Sequence, residues 1–187
     1  KGPQPGDTRS AQLALRDLGF MPSNAVNGQA DYRTQQSLFA FQAWYGLERT
    51  GYVDSATLRK LRQLDASPRF PHPSVGGSGS HAEVYRDRGV LLLVTDGKVV
   101  RAVHVSTGAD GKTHAGTFSI FRKELYSYSV PFGVWLPWAS YFDGGRAFHE
   151  YPDVPPYPAS HGCIRVSAPE APFVYGFLDF GTTVYIY

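Results

Sequence analysis

A single cysteine, Cys163, stands in a chain of 187 residues. An intrachain disulfide is therefore excluded, and the thiol is either reactive or bridged to another molecule. No apolar run approaches the ~20 residues that a membrane-spanning helix requires. Runs of lysine or arginine are also missing, and the net charge is only +2, which leaves no electrostatic case for nucleic acid as a partner. There is no His-Glu-x-x-His helix and no other compact metal-ligand spacing, so neither a metal nor a cofactor is expected. The chain begins Lys1-Gly2-Pro3 without an initiator methionine, as expected of a processed or trimmed form, so the absence of a signal or anchor is uninformative.

What is present points to a folded protein in two parts. Hydrophobic residues make up 42% and charged residues 18% of the chain, the balance of a packed domain rather than a disordered one. Residues 7 to 65 read as helical. Asp7 or Thr8 can cap a first helix with Ala11, Leu15 and Leu18 at helical spacing, ended by Gly19. Asp31 can cap a second with Leu38, Phe41 and Tyr45 on one face, closed by Gly46. Asp54 or Ser55 can start a third, with Leu58 and Leu61 inward. Gly28-x-x-Asp31-x-x-Thr34 and Gly51-x-x-Asp54-x-x-Thr57 share one pattern, which suggests two related helical hairpin units.

Ala66 to Ser80 carries Pro68, Pro71 and Pro73 and then Gly76-Gly77-Ser78-Gly79-Ser80. It reads as a linker, stiff in its first half and loose in its second. From His81 the period changes to two. Glu83 to Arg86, Val90 to Thr95 and Val99 to Ser106 read as strands, with Asp96-Gly97 as a hairpin turn. Gly116 to Phe121 and the aromatic stretch Val130 to Phe148 add more. Ser167-x-x-Glu170 reads as a capping box opening a short helix to about Leu178, followed by a last strand, Thr182 to Tyr187. The expected division is 1–65, a linker 66–80, and a mostly-β domain 81–187.

The chemistry gathers at Ser160-His161-Gly162-Cys163-Ile164-Arg165, with His149 fourteen residues before the cysteine. A thiol attacks as the thiolate and needs a base, and imidazole supplies one. His161 is tethered close to Cys163, whereas His149 arrives from elsewhere in the chain and can be aimed freely, so His149 is the more attractive base. Gly162 removes bulk before the nucleophile, opening the backbone N–H groups around Cys163 to an oxyanion. Arg165 offers a cation for a substrate carboxylate or an acidic partner. Alone, Cys163 would read as a buried small hydrophobe; the flanking histidines argue otherwise. Of the remaining histidines, His72 and His81 are expected in solvent and His104 as a surface or hydrogen-bonded structural residue; active-site contact is a minority reading for His114. Trp135, Trp138, Tyr141 and Phe142 are candidates for core or cleft wall.

Two resemblances extend this reading. Gln12-x-x-Leu15-x-x-Leu18-Gly19, Asn27-Gly28, Thr34-x-x-x-Leu38, Phe41-Gln42 and Gly46-Leu47 resemble the three-helix peptidoglycan-binding domain found beside wall enzymes. The Ser160–Arg165 motif with His149, together with Ser106-Thr107-Gly108 and Thr113-x-x-Gly116-Thr117-Phe118, resembles the L,D-transpeptidase (YkuD-type) catalytic domain. The resemblance implies an all-α three-helix bundle followed by a YkuD-like β-sandwich with one short C-terminal helix. It implies Cys163 as nucleophile, His149 as base oriented by the backbone carbonyl of Glu150, support from Ser160, His161 and Gly162, and Arg165 in substrate binding. It also implies peptidoglycan stem peptides and glycan as partners, carbapenem-type β-lactams as covalent inhibitors, and an extracytoplasmic bacterial setting. Glu150 replaces a small residue, which is expected to narrow the pocket, and His114 replaces a proline. The Tyr151 to Ala159 loop is expected to wall the acceptor side. Three rivals stand beside this reading: an L,D-carboxypeptidase using the same thioester, a non-catalytic wall-binding protein, and a zinc peptidase drawing on His149, Asp153, His161 and Cys163.

Overall fold

The computed structural model describes residues 5–66 and 70–187; Pro68 of the expected linker lies outside them. Three helices come first, α1 (Pro5–Asp17), α2 (Tyr32–Trp44) and α3 (Ser55–Ala66). Helix α1 begins earlier than expected, so Asp7 sits in its first turn, where a carboxylate favours the helix dipole, instead of capping it. The other two starts are as read. Asp31 accepts from the Thr34 N–H at 2.8 Å and Asp54 from the Thr57 N–H at 2.8 Å.

The repeated pattern has a structural cause. Gln12 of α1 reaches the first loop: its Oε1 accepts from the Gly28 N–H at 2.7 Å and its Nε2 donates to Thr34 Oγ1 at 2.8 Å. Gln42 of α2 repeats this one unit later, with Oε1 accepting from the Gly51 N–H at 2.9 Å and Nε2 donating to Thr57 Oγ1 at 3.0 Å. Both glutamines are fully buried, so each supplies in the interior the partners that water would otherwise give the loop. Gln42→Leu is expected to lower unfolding stability by about 2–4 kcal/mol, because several buried groups lose partners at once; urea denaturation of the variant measures it.

The sheet follows: β1 (Ser80–Tyr85), β2 (Val90–Thr95), β3 (Lys98–Ser106), β4 (Gly116–Ser119), β5 (Arg122–Ser129), β6 (Val134–Asp143), β7 (Arg146–Glu150) and β8 (Ile164–Val166). Helix α4 (Ala171–Phe177) and β9 (Thr183–Ile186) complete it. The strand order is β4-β9-β1-β2-β3-β8-β7-β6-β5, with β1/β9 and β7/β8 parallel. The sheet curls on itself: Phe121 N–H donates to the Tyr141 carbonyl at 3.0 Å, and the Phe118 and Phe142 rings meet at 5.6 Å. Within the curl Leu91, Leu93, Phe148, Ile164 and Val184 form a core.

Strand β2 is buried on both faces. Leu91 and Leu93 enter the core inside the curl, whereas Val90, Leu92 and Val94 join Leu15, Phe20, Leu38 and Phe41 in a second core. The helices therefore pack directly on the outer face of the sheet. The Ala102 N–H donates to the Gly19 carbonyl at 2.9 Å, and Trp44 meets Tyr85 edge to face at 5.3 Å.

Several local expectations are corrected. Residues 122–129, which carry no strand signal in the sequence, form strand β5. The capping box does not form, since Ser167 Oγ has no partner among the described residues. Glu170 turns instead to Arg101 at 3.3 Å, and burial raises its carboxyl pKa despite Arg101 and Arg33. His81 is buried rather than solvent-exposed, its Nε2 lying 3.2 Å from Glu83 Oε1 and its ring against Tyr185. That buried Glu83 also holds the segment read as linker, accepting from the Ser74 and Val75 N–H groups at 2.8 and 2.7 Å.

Candidate active site

Parallel pairing of β7 with β8 brings together residues far apart in the chain. Phe148 pairs with Ile164 and His149 with Arg165. Phe148 and Ile164 point into the core and are buried, which fixes both strands. Period two then turns His149 away from the core. Cys163 lies just before β8, and both side chains line one cavity of about 220 Å³ with Arg165, Tyr151 and Phe132.

His149 Nδ1 donates to the Glu150 carbonyl at 2.7 Å. This places the ring proton on Nδ1 and leaves Nε2 as the proton-accepting atom. The Glu150 side chain does not line the cavity, so the expected narrowing is not seen. Burial lowers the His149 pKa to about 4, against the opposing Glu150 hydrogen bond. Burial also pushes the Cys163 thiol above its ordinary value, opposed by the Ala147 N–H and by Arg146 and Arg165. Both shifts favour a neutral thiol and a neutral imidazole over an ion pair. Iodoacetamide alkylation of Cys163 is expected to rise with pH through and beyond the ordinary thiol value of about 8.5. A rate already at its plateau near pH 6 would contradict this.

Three residues hold the turn that carries the thiol. Ser160 Oγ donates to the Cys163 carbonyl at 2.5 Å and accepts from the Gly162 N–H at 3.0 Å. Thr113 Oγ1 donates to the Gly162 carbonyl at 2.8 Å while accepting from the Gly108 N–H at 2.7 Å. Gly162 itself has φ +128°, and a Cβ there would meet Arg146 Nε at 2.8 Å and the Lys112 carbonyl oxygen at 3.0 Å. The glycine was expected to make room for substrate. The room it makes is filled by Arg146, and its N–H is already engaged by Ser160.

Arg146 was not among the expected residues. Its Nε donates to the Lys112 carbonyl at 2.8 Å and its Nη1 to Asp143 at 3.0 Å. His114 stands behind Arg146, with Nε2 at 3.2 Å from Nη2 and Nδ1 at 3.4 Å from Asp143. His161 lines the same cavity, its exposed ring stacked on Phe132 at 4.5 Å. The Arg165 guanidinium lies over the Tyr151 ring at 4.0 Å and reaches the Asp153 carbonyl at 3.5 Å; among the described residues it has no carboxylate partner. Val134 and Leu136 of β6 line the cavity, but the expected wall tryptophans do not. Trp135 faces solvent, Trp138 packs on Tyr175, and Tyr141 and Phe142 are core.

The loop Tyr151 to Ala159 is held from both sides. Gln36 Nε2 of α2 donates to the Val154 carbonyl at 3.3 Å, and His104 Nε2 lies 3.1 Å from the Pro155 carbonyl. His104 is fully enclosed, and burial lowers its pKa to about 4 despite carbonyl oxygens near both ring nitrogens. His104 and His149 therefore stay neutral in the folded protein down to about pH 4, whereas in the unfolded chain each takes a proton near 6.5. Their contribution to stability is complete above pH 6.5 and is lost as pH falls toward 4. The urea midpoint is expected to drop between pH 7 and 4.5, with a shallower slope in His104→Gln. An unchanged slope in that variant would refute the assignment.

Residues 79–186 match the YkuD family, the L,D-transpeptidase catalytic domain, and residues 4–61 match a peptidoglycan binding domain family. No curated protein matches the chain. An L,D-transpeptidase (residues 123–326) from Xylanimonas cellulosilytica superposes with TM-score 0.86 at 32% identity, covering 96% of this chain and 92% of that one. An L,D-transpeptidase from Stackebrandtia nassauensis gives 0.61 at 26% identity over 96% and 90% of the two chains. A further structure, LdtMt1 in complex with imipenem, shares the fold at TM-score 0.55 and 19% identity over 59% of this chain and 60% of that one. With the family model matched over residues 79–186 and a solved relative of 32% identity covered over 92% of its chain, the chain belongs to the L,D-transpeptidase (YkuD) family.

Proposed function

We propose that the protein is a cysteine L,D-transpeptidase acting on peptidoglycan tetrapeptide stems. The observation that carries this reading is the placement of Cys163 and a Nδ1-anchored His149 in one cavity. His149 Nε2 takes the thiol proton as Sγ attacks the carbonyl between the third residue, a diamino acid, and D-alanine. The tetrahedral oxyanion is held by the motif N–H groups left after Ser160 has engaged Gly162, those of His161 and Cys163. Imidazolium returns its proton to the leaving D-alanine amine, and a Cys163 thioester remains. The side-chain amine of a neighbouring stem then displaces the thiol, giving a 3→3 cross-link.

Arg165, with no carboxylate partner among the described residues, is the cation for a substrate carboxylate. The same thiol would open the strained ring of a carbapenem and retain it as an acyl adduct. A peptidoglycan substrate places the enzyme outside the cytoplasm of a bacterium. The helical part, residues 1–65, serves as its peptidoglycan-binding module. Intact-mass spectrometry after incubation with a tetrapeptide stem and an acceptor tests the mechanism. A thioester on Cys163 that resolves into a cross-linked dimer is expected. Trimmed stem alone would mean that water is the acceptor, an L,D-carboxypeptidase; folded enzyme with no adduct would overturn the reading.

A further inference from the structure

The two repeated loops of the helical part lie side by side and leave a cleft of about 390 Å³ between them. Leu38 and Val53 are buried at it, and two tyrosines flank it, Tyr32 from the first turn of α2 and Tyr52 from the second loop. Both rings are open to solvent, at 41% and 64% exposure. Gln35 also lines the cleft, packed under Gly51, where a Cβ would fall 2.8 Å from its Cγ. The Gln35 amide makes no hydrogen bond among the described residues. Asp31 is the single charged lining residue, and its carboxylate is already committed to the Thr34 N–H and to Asn27 Nδ2.

Accessible aromatic faces beside an unpartnered planar amide, with no available charge, suit one ligand chemistry. Aromatic rings pack against the C–H faces of pyranoses, and an amide pairs with their hydroxyl and acetamido groups. A charged peptide or a polyanion would find nothing here to pair with. The cleft is also joined to the catalytic cavity. Tyr32 Oη donates to the Pro152 carbonyl at 3.4 Å, and the same loop carries Tyr151 at the cavity wall. The core shared by helices and sheet fixes the spacing between the two.

We infer that the Tyr32–Gln35–Tyr52 cleft is a saccharide subsite that takes the uncharged N-acetylated sugar strand to which the stem peptide is attached. This rests on the proposed function for the identity of the whole substrate. Glycan held in the cleft presents its stem to Cys163 from a fixed origin, so the second contact forms at high effective concentration.

The test uses the whole chain and three probes: a chitin hexasaccharide, which is glycan without peptide, a stem tetrapeptide without glycan, and insoluble peptidoglycan. Tyr52→Ala and Gln35→Ala alter accessible side chains, and their melting temperatures are measured alongside the parent. Calorimetric binding of the hexasaccharide is expected, weakened about tenfold by either variant. Retention on insoluble peptidoglycan should fall in step, and carbapenem acylation of Cys163 should stay at the parent rate. Hexasaccharide binding that neither variant weakens would overturn the inference, as would loss of tetrapeptide binding in their place. Failure of Cys163 to acylate in every variant, with hexasaccharide binding still sensitive to Tyr52, would sink the catalytic proposal and support the subsite.

Discussion

Cys163→Ala is expected to abolish acylation by stem peptide and by carbapenem, with turnover reduced by roughly 10⁴-fold or more. The thiol is the chain's only cysteine. Ser160 Oγ, a hydroxyl of the same cavity, donates to the Cys163 carbonyl and accepts from the Gly162 N–H, so it is occupied in shaping the turn. The fold should survive, because Cys163 is only partly buried and its thiol makes only weak polar contacts, with the Gly145 carbonyl at 3.9 Å and with the Ala147 N–H. An unchanged circular dichroism spectrum beside a lost adduct is the expected result. Parallel assays with a strong chelator separate this chemistry from the zinc alternative: activity should persist with chelator and vanish in Cys163→Ala. Parent-level wall activity in the variant would return the protein to the non-catalytic reading.

Gly162→Ala is expected to damage stability and rate together. An alanine at φ +128° is strained by about 1–3 kcal/mol. Its methyl would also land 2.8 Å from Arg146 Nε and 3.0 Å from the Lys112 carbonyl oxygen, between two atoms that are themselves hydrogen-bonded at 2.8 Å. Separating them adds an overpacking penalty of similar size, for a total of roughly 2–6 kcal/mol. Because Gly162 directly precedes the nucleophile, a shift near 1 Å should slow carbapenem acylation by about 10²-fold. Adding Arg146→Ala should restore part of the stability by removing the clash, but not the part due to φ. If the double variant is no more stable than the single one, Arg146 is not what the glycine accommodates.

How much of this could be read from the chain depends on the residue. That Cys163 and His149 share one cavity was legible because the cysteine is unique and the histidine stands upstream of its motif. The helix starts at Asp31 and Asp54 were legible because capping is local chemistry. Strand β5 was not, because its pattern is inverted: Ser127 is buried whereas Tyr126 and Tyr128 face solvent, opposite to the alternation that marks a strand. His81 was misread because its partner, the buried carboxylate of Glu83, gives no local signal. Ser167 and Glu170 carry a capping signature, but Arg101 from a distant strand takes the glutamate. Arg146 left one trace only, the glycine whose missing side chain it replaces.

The packing of α2 on the outer face of β2 has a consequence for recombination. The chain looks like two exchangeable cassettes, yet Val90, Leu92 and Val94 are buried only while the helices cover them. A chimera carrying a foreign wall-targeting module would have to recreate that complementary face. Without it, an apolar stripe is bared and the Tyr151–Ala159 loop loses its Gln36 anchor. Melting should accordingly be one concerted event, and inherited variation on the two sides of the joint should be coupled.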